Sequence, residues 1–327
     1  MKRRIRTLSA LAGVCIAFLF CVGNGMAQTK LPRVGVLFVR DVRAQPLIIE
    51  PLRASLRERG WVEGKNFAFE YRDTGGDPTR FDELAAELVQ LHVDILFPIG
   101  PTAVRAAVAA TRDVPIVAHD LETDPVLAGY AQSYSQPGGN LTGLFLDSPD
   151  LAGKWLELLR EIRPKLSRIT VLWDSTSGPV PLDAVRTVAP LLGITPQVLE
   201  LRASQELDNI QSKFRGPPQA LVVLPSPMLY AQSAKLAELA RKSRLPATSM
   251  FVPFAEAGGL MAYGPSIPAT FEQCAALIAK VLAGAKPADL PVERPTKFEF
   301  VVNMKTARIL GLKVPDEIRL RADRIIQ

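Results

Sequence analysis

The chain has 327 residues, 48% of them hydrophobic, with 39 basic against 33 acidic side chains, two histidines, three cysteines and a formal net charge of +6. That length allows two substantial cores, and the apolar fraction excludes a disordered chain. Lys2, Arg3, Arg4 and Arg6 precede residue 28 with no acid among them, so the remainder carries +2, which gives no basis for a nucleic-acid partner.

The first six residues are cationic, an apolar run covers 8–22, and Gly25-Met26-Ala27 offers small residues at a cleavage position. This is the layout of a secretory signal peptide, so the expectation is export to the periplasm, cleavage, and a mature chain starting near Gln28. A membrane anchor is the alternative, but the run is short for a span, contains Gly13, and is not followed by a stop-transfer pattern. Cys15 follows Val14 and Cys21 follows Phe20, neither a good lipid-attachment context. Cleavage leaves Cys274 alone, so no internal disulfide is expected.

From Arg33 short β-rich runs alternate with amphipathic ones, the pattern of βαβ units around parallel sheets. A strand over 34–39 leads to a helix that ends at Arg59 with Gly60 as its left-handed stop, then a strand over 66–71. Asp77-Pro78 reads as an N-cap and first-turn proline for a helix whose apolar stripe is Phe81, Leu84, Ala85, Leu88 and Val89. Strands over 93–97 and 114–118 flank a helix starting at Pro101, which completes one lobe.

After the turn Pro137-Gly-Gly-Asn140 the rhythm restarts: helix 151–162, strand 168–173, helix 182–192, strand 195–201, helix 204–214, strand 220–224, helix 229–243 and strand 247–250. A strand over 260–263, a helix over 269–282, a proline-rich crossing over 286–295, a strand over 298–302, a helix over 304–310 and a charged tail follow. The expected fold is α/β, two doubly wound Rossmann-like lobes joined by a hinge that the chain crosses more than once. The expected partition is 28–145 with about 255–290 in the first lobe, and 146–254 with about 291–327 in the second. Ligand belongs in the cleft, at the carboxyl ends of the strands.

The block Lys286-Pro-Ala-Asp-Leu-Pro-Val-Glu-Arg-Pro-Thr-Lys-Phe-Glu-Phe-Val-Val-Asn303, with Lys305-Thr-Ala and Leu310-Gly-Leu-Lys-Val-Pro315, resembles the C-terminal part of a bacterial family. That family is the substrate-binding proteins of ABC transporters with the type I periplasmic fold, in the branch that includes tryptophan-binding members. Arg59-Gly-Trp-Val-Glu-Gly-Lys-Asn66, Glu70-Tyr-Arg72, Asp124-Pro-Val126, Pro137-Gly-Gly-Asn-Leu-Thr-Gly143 and Gly258-Gly-Leu-Met-Ala-Tyr-Gly264 extend the similarity over nearly all of the mature chain. Departures lie around 40–47, 119–122 and 145–149, and they put ligand identity in doubt.

Candidate ligand residues sit where strands end. Gly100, Pro101 and Thr102 open a helix, and the free N–H groups there suit a carboxylate, with an ordinary helix start as the plainer alternative. His119 begins a loop with three carboxylates, of which Asp124 is the residue the resemblance favours in the cleft and a candidate for an ammonium group. A metal site is not expected, because the other histidine of the mature chain is His92 and no cysteine lies near. Arg40 and Asp41, and Trp173 and Asp174, offer paired charges and an aromatic face, although Trp173 also suits the core. Ser226, Met228, Phe251 and Tyr263 offer hydroxyls and a partly apolar wall, with lobe packing as the alternative for Met228 and Phe251.

An enzyme is not expected: the sequence has no G-x-S-x-G elbow, no dinucleotide or phosphate loop and no H-E-x-x-H zinc helix, and Cys274 reads as a buried structural thiol. No cofactor is expected. The resemblance implies a monomeric periplasmic receptor that captures an amino acid or similar small carboxylate, with aromatic or branched side chains preferred, and delivers it to an inner-membrane ABC permease and its ATPase. A protein that presents ligand to a membrane sensor is the competing reading, since both roles rely on closure around ligand.

Overall fold

A computed structural model of the chain describes residues 31–146, 148–214 and 219–327; the expected signal peptide lies outside them. Strand β1 (Arg33–Phe38) is apolar on both faces, as a central parallel strand must be. It leads to α1 (Pro46–Glu58), β2 (Ala68–Asp73), α2 (Phe81–Gln90), β3 (Ile95–Pro98), α3 (Pro101–Ala110), β4 (Ile116–Asp120) and β5 (Leu141–Phe145). These strands form a parallel five-stranded sheet in the order β2-β1-β3-β4-β5. The stop after α1 is the one expected: Gly60 has φ 85°, and Trp61 N–H closes back on the Leu56 carbonyl at 2.9 Å.

The chain then forms α4 (Ser148–Ile162), β6 (Arg168–Asp174), α5 (Val180–Leu191), β7 (Thr195–Leu201), β8 (Leu221–Val223), α6 (Pro227–Ala231), α7 (Ser233–Lys242), β9 (Ala247–Ser249), α8 (Val252–Glu256) and β10 (Met261–Pro265). Helix α9 (Ile267–Leu282), β11 (Phe298–Asn303), α10 (Met304–Ile309), α11 (Asp316–Arg321) and β12 (Arg324–Ile326) complete it. The second sheet has seven strands in the order β12-β11-β10-β9-β8-β6-β7, parallel except where β11 runs antiparallel to β10. Among the described residues, no helix is long and apolar enough to cross a membrane.

Three departures from the sequence reading have physical causes. The segment expected as a helix over 204–214 is a 3-10 helix, Ser204–Lys213, whose buried residues Leu207 and Ile210 are spaced by three, the period of that tighter helix. The helix expected over 229–243 breaks at Gln232, where the N–H bonds the Leu229 carbonyl three residues back and closes α6 before α7 begins. Strand β5, which follows directly on the turn Pro137-Gly-Gly-Asn140 and is not among the expected strands, contains Gly143; a Cβ there would sit 2.2 Å from the Ala118 carbonyl oxygen of β4, so the pairing needs glycine.

The crossings between sheets fall later than the sequence partition placed them. Strand β10 pairs with β9 and β11 inside the second sheet, so residues 261–265 belong there and not to the first lobe. Only with α9 does the chain return to the first sheet, packing on α1 and on β3, β4 and β5. The following segment lies along β5: Thr142 Oγ1 donates to the Leu290 and Pro291 carbonyls, and Glu293 N–H bonds the Gly143 carbonyl at 2.8 Å. That segment covers the open edge of the first sheet before β11 takes the chain back. Trp155, buried in α4, ties the second lobe together by donating its indole N–H to the Tyr263 carbonyl at 2.7 Å.

Candidate functional site

The carboxyl ends of both sheets converge on two adjoining cavities. The larger, of about 210 Å³, is walled by Arg40, Gly100, Pro101 and Thr102 from the first sheet and by Asp174, Thr176, Ser177, Arg202 and Met228 from the second. The smaller, of about 50 Å³, is bounded by Phe38, Ile48, His119, Leu121, Glu122, Tyr230, Phe251 and Phe271, and its lining is almost wholly apolar. Ile99, Gly100 and Pro227 border both, so the two spaces meet beside Gly100.

Gly100 makes this junction. Its backbone sits at φ 93°, ψ 160°, a region open in practice to glycine, and its N–H bonds the His119 carbonyl at 2.8 Å. A Cβ at this position would lie 3.0 Å from the Pro227 ring, so glycine also permits the close approach of the two lobes. Pro101 then starts α3, and no side chain caps the helix. The first-turn N–H groups of Thr102 and Ala103 therefore remain for a bound group. Thr102 Oγ1 donates to the Thr176 carbonyl at 3.4 Å, a direct contact across the cleft. Arg40 forms no ion pair among the described residues, whereas Arg202 is held by Glu200 at 2.8 Å.

The sequence candidates divide. Arg40, Gly100, Pro101, Thr102, Asp174 and Met228 come together in the larger cavity, and Gly100, His119 and Phe251 in the smaller. Asp174 is saturated there: it accepts from Thr176 N–H at 3.0 Å and Thr176 Oγ1 at 2.7 Å and caps the 3-10 turn that follows. His119 places Nε2 3.0 Å from Thr270 Oγ1 and stacks on Phe271 with ring centroids 4.4 Å apart. Its burial lowers the imidazole to about 4, so the ring is neutral.

Five candidates are outside both linings. Asp124 accepts the Val126 and Leu127 N–H groups at 2.8 and 2.9 Å and shapes a turn. Asp41 pairs with Arg43 at 2.8 Å. Trp173 donates its indole N–H to the Gly178 carbonyl at 2.9 Å and packs on the core. Ser226 is wholly buried as the N-cap of α6, accepting from Leu229 N–H at 2.9 Å. Tyr263 lies in β10 with its ring against Phe298 and Phe300.

The residues that sequence reasoning passed over are Glu122, Tyr230, Phe271, Thr176 and Ser177. Glu122 belonged to the loop of three carboxylates already singled out, so composition pointed to the loop but not to the member that faces a cavity. Phe271 comes from α9, and no local pattern tells that this helix returns to the first sheet. Among the described residues, no group of histidine, cysteine and acidic side chains is placed to hold a metal ion.

Comparison with known proteins places the chain in a family and finds the same fold. The family described as ABC transporter substrate binding protein matches residues 33–326. A tyrosine-binding protein of Clostridioides difficile (strain R20291) is 24% identical over 277 residues, covering 83% of this chain and 77% of that protein. A conserved domain protein from Vibrio cholerae superposes with a TM-score of 0.84 at 25% identity, covering 90% of this chain and all of the other. An ABC domain from Streptococcus pneumonia, solved in complex with L-Trp, gives a TM-score of 0.83 at 23% identity over 91% of this chain and all of that one.

Proposed function

The chain belongs to the ABC transporter substrate binding protein family, and from that premise we propose that it is the periplasmic receptor of an importer for an amino acid with a branched or aromatic side chain. Members of this family bind a small-molecule ligand for a membrane transporter, work outside the cytoplasmic membrane, and are not enzymes. The finer reading is a monomer, exported with a cleaved signal peptide, that docks on an inner-membrane permease with its ATPase.

The observation that carries the ligand assignment is the meeting of a polar and an apolar cavity beside Gly100. An amino acid with an apolar side chain has the same division between its carboxylate and its side chain. Its carboxylate suits the α3 start, where first-turn N–H groups, the Thr102 hydroxyl and Arg40, which has no ion pair among the described residues, supply donors and positive charge. Its side chain suits the apolar wall. The relatives named as tyrosine-binding and as solved with L-Trp make an aromatic side chain reasonable. The smaller cavity sets a condition on it: about 50 Å³ is well below the roughly 150 Å³ that accommodates benzene in a protein interior. A branched aliphatic group enters with small adjustments, and an aromatic ring enters with the lobes further apart or with Phe251 and Phe271 turned aside.

Closure follows from differential contact. The first sheet supplies Arg40 and Thr102, the second supplies Thr176, Ser177 and Met228, and a ligand touching both stabilises the approximated arrangement over the open one. A thermal-shift screen of residues 28–327 against amino acids, aromatic acids, sugars and purines tests the reading. Stabilisation by one or a few apolar amino acids is expected, and stabilisation by sugars alone would overturn it.

A further inference from the structure

The smaller cavity is bordered by a pair of buried carboxyls that, among the described residues, have no basic partner. Glu122 lines it while only 4% exposed, and its Oε2 accepts a single bond, from Leu121 N–H at 3.2 Å. Asp120 beside it is fully buried. Its Oδ1 accepts the N–H groups of Glu122 and Thr123 at 2.9 and 3.1 Å, and its Oδ2 has no partner. Among the described residues no lysine, arginine or histidine forms an ion pair with either carboxyl. Asp174, facing from the second sheet, adds a further negative charge, and His119 is neutral and engaged with Thr270. Tyr230, the remaining titratable group of this cavity, packs its ring edge-on against Phe251 at 4.9 Å.

Burying carboxylates without a counter-charge is costly, and the cost is removed by a proton or by a cation. The walls favour a particular cation. Phe38, Tyr230, Phe251 and Phe271 surround the space, and aromatic faces attract an ammonium group that a carboxylate holds at one end. The other acidic candidates are committed elsewhere: Asp174 to the turn it caps, Asp124 to two backbone N–H groups, and Asp41 to Arg43.

We propose that Glu122 is the receptor for the ligand's primary ammonium group, seated between its carboxylate and the rings of Phe251, Phe271 and Tyr230, with Asp120 reinforcing the negative charge from behind. This rests on the amino-acid reading above and assigns the amino group to the apolar side of the junction, with Cα beside Gly100 and the carboxylate at α3.

The test compares amine-bearing probes with their des-amino analogues by calorimetric titration: L-phenylalanine against 3-phenylpropionate, and L-leucine against 4-methylpentanoate. The wild-type chain should lose about 30-fold or more in affinity when the amine is removed, because a buried charge partner is lost. Glu122→Gln, nearly isosteric, should bring the two members of each pair to within a few-fold of each other, chiefly by weakening the amino acid. Wild-type binding of amine and des-amino probes within a few-fold overturns the proposal without any variant, as does a Glu122→Gln chain that keeps the full amine preference. Failure of the amino-acid reading looks different: neither member of either pair binds the wild type, while a sugar or purine does.

Discussion

Replacing Glu122 by glutamine should raise the melting temperature at neutral pH and change its pH dependence in a direction set by burial. Burial first, and the neighbouring Asp120 charge second, push Glu122 well above its usual 4.5; burial raises Asp120 as well. A carboxyl whose folded value lies above its unfolded value holds more protons in the folded state. Its contribution to stability is therefore complete below about 4.5 and declines as pH rises towards the folded value. For one proton the limiting slope is about 1.4 kcal/mol per pH unit. With an unfolding entropy of about 2.1 cal/mol/K per residue over roughly 300 residues, that slope is about 2 °C per pH unit. His119 acts in the opposite sense. Its lowering from 6.5 to about 4 makes the folded state lose stability as pH falls through that interval, by about 3 kcal/mol in all. Between about 4.5 and 6.5 the two slopes oppose each other in the native chain. Differential scanning fluorimetry of native and Glu122→Gln protein from pH 4.5 to 8.5, at constant ionic strength, separates them. The difference in melting temperature should grow with pH by about 2 °C per unit and level off beyond the folded value, leaving the His119 limb visible in the variant. A difference that does not vary with pH would refute a Glu122 that holds a proton in the folded protein.

Other expectations concern the cleft and its support. Gly100→Ala places a side chain in a backbone region that costs about 1–3 kcal/mol and moves against Pro227, so calorimetry should show weaker binding and fluorimetry a loss of about 2–5 °C. Thr102→Val removes the donor to the Thr176 carbonyl and one hydroxyl from the polar cavity while preserving shape; affinity should fall about 2- to 10-fold with the melting temperature nearly unchanged. Trp155→Phe leaves the Tyr263 carbonyl without its indole partner; chemical denaturation should register about 1–3 kcal/mol of lost stability, and ligand affinity should not follow. Cys274 is fully buried and its thiol is pushed far up by burial, so in residues 28–327 a thiol reagent should label nothing until the protein unfolds.

The large-scale pattern of the fold was legible because it is written in local signals. Apolar runs such as that of β1 and the stop at Gly60 each act within a few residues, and the structure realises both, whereas Asp77 caps a short 3-10 turn, Pro78–Arg80, that leads into α2 rather than capping α2 itself. What escaped were features decided by distant neighbours. Strand β5 needs Gly143 because of β4, and the placement of β10 is settled by pairing with β9 and β11. The candidate site divides the same way. Gly100 to Thr102 were visible as a strand end running into a helix, whereas Glu122 and Asp124, two residues apart in one loop, differ only in which way the folded chain turns them. One lines the apolar cavity and the other closes a turn. The rings of Phe271 and Tyr230 reach the cavity from α9 and α6, and only the tertiary crossing brings them there.

The central claim is that a small amino acid binds between the two lobes and holds them together. Small-angle X-ray scattering on residues 28–327, with and without a saturating amino acid found in the thermal-shift screen, addresses it most directly. The radius of gyration should fall on binding in the native protein, and fall less in Thr102→Val at the same ligand concentration. A radius of gyration that stays constant while calorimetry shows the site filled would contradict closure around the ligand.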